Sequence, residues 1–136
     1  MSKRYEWSLL ILRVVLGLSF FVHGLVKFQS GLSNIAGWFS SIGLPGFLAY
    51  VVAIVELAGG IAMILGIGTR VVAFLFAFIM IGAIFTVKIS AGFLGNEQMA
   101  GYELDLAFLA MSVALLISGS RLYALDQLFQ SRNDQV

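Results

Sequence analysis

Apolar positions fill four long stretches of the chain, at about 8–28, 47–67, 70–88 and 103–122. Each approaches the roughly 20 residues that carry a helix across a bilayer. They are apolar nearly all round, without the polar face that a water-exposed helix keeps. No alternation with a period of two suggests a membrane barrel. The pattern predicts an all-α integral membrane protein, an up-down antiparallel four-helix bundle forming a single domain over residues 1–136. The third stretch is short at its apolar heart, "VVAFLFAFIMIGAIFTV".

The connections carry their own signals. "QSGLSNIAGWFSSIGLPG" is too polar to span, but Ile35, Trp38, Phe39 and Ile42 fall at i, i+3, i+4 and i+7, one face of a helix. A short amphipathic helix over about 34–42 is expected, at the interface or dipping back into the bundle. Ser33 or Asn34 would cap its start, and Gly43 with Pro45 would end it. "IGTR" at 67–70 is tight enough to force an antiparallel pair, and "SAGFLGNEQMAG" reads as a loop.

Composition sharpens the picture. Hydrophobic residues make up 60% of the 136 residues, charged residues 11%, and mean hydropathy is +1.01. A soluble domain of this size could not bury that much apolar surface. A net charge of +1 with no basic run argues against a nucleic-acid partner. The basic start followed by an apolar run lacks a small-residue cleavage site and is broken by Arg13, so it reads as a retained first span. With both termini on one side, that side holds Lys3, Arg4, Arg70, Arg121 and Arg132, and the other holds Lys27 and Lys88. The positive-inside rule then puts both termini in the cytoplasm of a multi-pass cell-membrane protein.

Against this apolar background a few ionisable residues stand out. Glu56 falls near the middle of the second span, Arg13 roughly 8 Å to the inner side of the middle, and His23 about as far to the outer side. Lys27 lies close to the outer interface. A charge at mid-bilayer costs at least ~2.5–3.5 kcal/mol, so such residues should face the bundle interior and find partners. Arg13, Gly17, Phe20, Gly24 and Lys27 share one stripe at helical spacing, with His23 on its flank. The glycines there would let a backbone or a ligand approach, and Gly59 and Gly60 lie one turn below Glu56. In the last span Glu103, Ala107, Ala110, Ala114 and Arg121 share a stripe. Glu56 is therefore expected to pair with Arg13 or His23, and Lys27 with Glu103, with Asp105 and Lys88 able to join. Plainer readings also fit: Arg13 snorkelling to headgroups, Lys27–Glu103 as an interfacial staple, Lys88 as an interface anchor, and His23 as a merely hydrogen-bonded histidine.

One histidine and no cysteine supply no metal centre within one chain, so no metal is expected and redox work needs a diffusible cofactor or a partner subunit. What remains is an intramembrane pocket with cations (Arg13, His23, Lys27), a carboxylate (Glu56) and aromatic walls (Phe20, Phe28, Trp38). It suits a planar, lipophilic molecule with polar oxygens: a quinone, a catechol or a related phenol. The cations would steady a developing phenolate, and His23 or Glu56 would relay protons.

The segments "RVVLGLSFFVHGLVKF", "VVAIVELAGGIAMILGIGTR" and "GYELDLAFLAMSVALLISGSRLYALD" resemble the DoxX family of small four-span membrane proteins over about residues 10–127. The resemblance implies a four-helix membrane bundle linked to quinone-coupled redox chemistry, in the neighbourhood of oxidoreductases associated with catechol and quinone stress. It carries over Arg13, His23, Lys27, Glu56, Gly60 and Glu103 as site positions. The resulting expectation is catalysis by His23 and Glu56, with Arg13, Phe20, Lys27, Trp38, Gly60 and Glu103 binding the ligand, quinone as cofactor, and a partner redox protein. A homo-oligomer fits the same reading. Its rivals are a non-enzymatic assembly or scaffold subunit and a small carrier for aromatic compounds.

Overall fold

The computed structural model describes residues 2–128. It is all-helical, with no strand among the described residues: α1 Lys3–Ser30, α2 Leu32–Ser41, α3 Phe47–Leu65, α4 Thr69–Ala83 and α5 Glu103–Ser118. A π-helical turn, Ile84–Lys88, and a 3-10 turn, Ile89–Ala91, prolong α4. Three of these helical runs are long and apolar enough to cross a membrane: Lys3–Ser30, Phe47–Leu65 and Thr69–Ala91. The fourth expected span is shorter than its apolar stretch. α5 stops at Ser118, 16 residues long, which is about 24 Å against a hydrocarbon core of about 30 Å. Gly119, at φ +68°, takes a backbone conformation that side-chain-bearing residues avoid.

The helices associate in antiparallel pairs, α1 with α3 and α4 with α5. Bare backbones meet in the first pair. A methyl group added at Gly60 would lie 2.6 Å from Phe21 N, and one at Gly24 would lie 2.6 Å from Leu57 N. Gly17 faces Gly60 O in the same way, at 2.8 Å. Only hydrogen at these positions allows this approach, which gains dispersion where no hydrophobic effect operates between helices. Gly60→Ala is expected to cost about 1–3 kcal/mol, because the atoms it meets are backbone and cannot move aside. The check is the thermal unfolding midpoint in detergent, and an unchanged midpoint would contradict the close crossing.

Lys3, Arg4, Arg70 and Arg121 gather at the end of the molecule where α1 and α4 begin and α3 and α5 finish. Arg132 lies outside the described residues. Lys27 and Lys88 lie at the other end, as expected. At the first end the chain turns back after α5. Leu125 N donates to Leu65 O at 2.9 Å and Asp126 N to Gly66 O at 3.2 Å, while Gly68 N donates to Asp126 Oδ2 at 2.7 Å. Arg70 donates to the last carbonyls of α5, Leu116 O at 3.1 Å and Ile117 O at 2.5 Å.

The core is apolar and aromatic. Phe20 and Phe76 stack with centroids 3.8 Å apart and planes 5° apart, and Phe108 lies 5.5 Å from Phe20. In α5 the buried stripe is Asp105, Phe108, Ser112 and Leu115. This corrects the expected Glu103–Ala107–Ala110–Ala114 face: a helix apolar all round gives no periodic sign of which side turns inward. α2 begins earlier than expected. Gly31 (φ +91°) precedes its first turn and no side chain caps it; Asn34 Nδ2 donates back to Ser30 O at 3.1 Å. Phe39 is the buried member of its apolar face, while Trp38 is 47% exposed.

Candidate functional site

A cavity of about 560 Å³ opens in the half of the molecule away from the termini. All five helices contribute to it: Phe20, His23 and Lys27 from α1, Trp38 and Phe39 from α2, Val51, Val55 and Glu56 from α3, Leu75 and Phe78 from α4, Asp105 and Phe108 from α5. Lys88, at the end of the π-helical turn, completes it. Phe20 and Phe108, their rings tilted at 46° to each other, form its floor. Apolar walls with few convergent polar groups are the usual form of a small-molecule site.

The buried carboxylate of Glu56, 3% exposed, is answered by Lys27, whose Nζ lies 2.7 Å from Oε2. The expected partners do not reach it. Glu56 sits level with Gly24, since a Cβ at Gly24 would lie 3.1 Å from the Glu56 carbonyl carbon. Arg13 lies eleven residues earlier on α1, about 16 Å along the axis. Lys27 is less than one turn beyond Gly24, and its four-carbon stem carries the ammonium back to the carboxylate. His23 lines the same cavity with its ring edge-on to Phe108 at 6.0 Å. No hydrogen bond among the described residues engages it.

A second ion pair stands in the cavity. Lys88 Nζ lies 3.2 Å from Asp105 Oδ2 and 3.4 Å from Oδ1. Asp105 is 7% exposed. This corrects the expected Lys27–Glu103 pairing. Residues two apart on a helix point about 200° apart, so burying Asp105 turns Glu103 outward, where it is exposed. The signal in sequence was a second carboxylate in the first turn of α5 with a lysine closing α4, but periodicity did not say which acid faced inward.

Three further expected ligand contacts fall elsewhere or change character. Arg13 is buried at the opposite end, 1% exposed, where Nη1 donates to Ser120 Oγ at 3.3 Å and Nη2 to Tyr123 O at 3.1 Å. It neither snorkels to headgroups nor meets the cavity. Gly60 is covered by the α1 backbone, which leaves no space for a ligand. Phe28 is 39% exposed and does not line the cavity. Phe20, His23, Lys27, Trp38 and Glu56 do come together there.

Apolar helices of spanning length, enclosing a cavity set with lysine–carboxylate pairs, define a multi-pass membrane protein with an internal amphiphilic pocket. The sequence model of the DoxX family matches residues 8–89. The chain belongs to the DoxX family. It is 49% identical to "Putative oxidoreductase CatD" of Bacillus subtilis (strain 168) over 126 residues, covering 93% of this chain and 90% of that one. It is 34% identical to "Uncharacterized membrane protein Rv3486" of Mycobacterium tuberculosis, over 92% of this chain and 83% of that one. A protein of Haemophilus influenzae is 31% identical over 95% of this chain and 96% of its own length. No solved structure matches the chain.

Proposed function

We propose that the protein is a cell-membrane oxidoreductase, or the membrane subunit of one, that binds a quinone or catechol-like compound and contributes to its reduction or detoxification. α1, α3, α4 with its turns, and α5 form a four-helix bundle in the membrane, α5 being a short fourth span. α2 lies at the outer interface and both termini are cytoplasmic. The observation that carries the reading is the cavity: aromatic floor and walls, the Lys27–Glu56 pair, and His23 with no hydrogen bond among the described residues. Exposed apolar residues of α3 and α4 line it, Val51 at 47%, Leu75 at 40% and Phe78 at 71%. Their exposure on helices of spanning length favours a lipophilic ligand arriving from the bilayer. A relative whose name includes "oxidoreductase" adds weight to redox work.

Reduction of a quinone to its hydroquinone takes up two electrons and two protons. This chain holds no resident electron carrier in its sequence chemistry, so the electrons come from a partner redox protein. The protons come from groups lining the pocket. His23 is placed to hand one to a ring oxygen, and Glu56 with Lys27 to hold or replenish another. Lys27 offers N–H groups to a developing phenolate.

A scaffold reading has one observation in its favour, the pairing of both cavity carboxylates with lysines. Against it stands His23, which lines the cavity with an exposed side chain and no hydrogen-bond partner among the described residues, and so is accessible to a ligand. Purification in mild detergent, solvent extraction and mass analysis should recover a quinone or phenol with the wild-type protein. His23→Ala should accumulate normally yet retain at least tenfold less of that compound and lose protection against added catechol. Recovery of no such compound, together with undiminished protection by His23→Ala, would sink the proposal.

A further inference from the structure

The Lys27–Glu56 pair joins α1 to α3, and the Lys88–Asp105 pair joins the extension of α4 to α5. Those are the two separate helix pairs of the fold, and the cavity lies between them. Each ion pair therefore occupies its own wall. The second is put there by the π-helical turn Ile84–Lys88. Such a turn adds one residue to the helical circuit and rotates every later side chain, and here it ends with Lys88 over the Asp105 carboxylate.

Neither pair exhausts its hydrogen-bonding capacity. An ammonium carries three N–H donors. Among the described residues, the one hydrogen-bond partner of Lys27 is Glu56, and that of Lys88 is Asp105. Asp105 Oδ2, nearer to Lys88 but off the directions a hydrogen bond needs, is buried without a hydrogen-bond partner among the described residues. Unused donors and acceptors in apolar surroundings are costly. With two lysines set against two carboxylates, the formal charges of the two pairs cancel. The cavity's occupant should be uncharged and polar at two separated points.

We propose that Lys88 and Asp105 form a second polar pole of the cavity, and that the ligand is a flat ring bearing oxygen at opposite ends, one against Lys27 and the other against Lys88. A carbonyl oxygen accepts from each lysine. A hydroxyl at the second pole also donates to the Asp105 carboxylate, whose side chain keeps a small accessible surface, so the pole receives both the quinone and the hydroquinone form. A ring with two adjacent hydroxyls presents both oxygens on one edge and engages one pole only. The proposal rests on the reading above that the cavity binds an oxygenated aromatic, and assigns that site a preference for 1,4- over 1,2-dioxygenated rings.

Equilibrium dialysis of the full-length protein in detergent tests it with three probes: 2,3-dimethyl-1,4-naphthoquinone, 2,3-dihydroxynaphthalene and 1-naphthol. Wild type should bind the first about tenfold more tightly than the other two, the value of one further hydrogen bond to a charged group. Lys88→Gln combined with Asp105→Asn should erase that advantage while 1-naphthol binding stays within about twofold, which also shows that the cavity is folded. If the double variant does not accumulate, Lys88→Gln alone is read in the same way. Equal weakening of all three probes, or unchanged preference, would overturn the second pole while leaving the site itself standing. Failure of wild type to bind any probe would overturn both.

Discussion

Glu56→Ala is expected to destabilise the protein by about 3–5 kcal/mol, the cost of leaving a desolvated charge without its partner. Lys27 reaches Glu56 at 2.7 Å with a side chain only 25% exposed. Without the carboxylate its ammonium must either stay unpaired in the largely apolar cavity or withdraw towards the interface. Either outcome loosens the contact of α1 with α3. The unfolding midpoint in detergent should fall by roughly 10 °C. Glu56→Leu with Lys27→Met removes both charges together and should recover most of that loss, because the penalty comes from the unpaired partner and not from the absence of an ion pair. The same double variant should retain no ligand. Stability and binding therefore separate: the single change damages both, the double change only binding. A Glu56→Ala protein as stable as wild type would show that the pair does not form.

Replacing Arg13 should have the other large effect. Arg13 is almost fully buried and no carboxylate pairs with it among the described residues. Its fork instead joins Ser120 Oγ and Tyr123 O, on the segment that folds back after α5. Arg13→Ala removes a long buried side chain and leaves both acceptors without their donor. About 2–4 kcal/mol should be lost, through the vacated volume and the broken bonds together. The segment around Tyr123 should detach, so brief trypsin treatment should cut after Arg121 in the variant well before it does in wild type. Arg13→Lys should not rescue it, since an ammonium cannot span two acceptors with the guanidinium's planar fork. Equal cleavage rates in all three proteins would contradict this role. Ligand binding should survive wherever the variant folds, because Arg13 does not line the cavity.

Part of the site was legible before any coordinates. The stripe of Arg13, Gly17, Phe20 and Gly24 is the buried face of α1, because a charge and two glycines in an apolar helix have no reason to face lipid. Glu56 was marked for an inward position by cost alone, and it is buried. His23, Lys27, Phe20, Trp38 and Glu56 do gather around one space, as expected of groups that avoid lipid, whereas Arg13 and Phe28, expected with them, do not line it. The partner of Glu56 was not legible. It depends on the register between α1 and α3, which the meeting of Gly17 and Gly24 with Gly60 and Leu57 fixes. Estimating depth from Cα positions also ignores the reach of a lysine, which brings an interfacial residue's charge to a carboxylate a turn deeper.

Local chemistry along the chain was enough to decide the apolar solvent, three of the four expected spanning helices, the gathering of Lys3, Arg4, Arg70 and Arg121 at one end, and which residues could not be left facing lipid. Each of these depends on transfer free energy, a property of a residue and its near neighbours in the chain. Tertiary structure decided who answers whom: Lys27 for Glu56, Lys88 for Asp105, Ser120 and Tyr123 for Arg13. It also decided that Gly60 serves backbone contact and that Glu103 turns away. In helices apolar on every side the hydrophobic pattern carries no direction, so rotation and register are set by close backbone contact, which no single helix encodes.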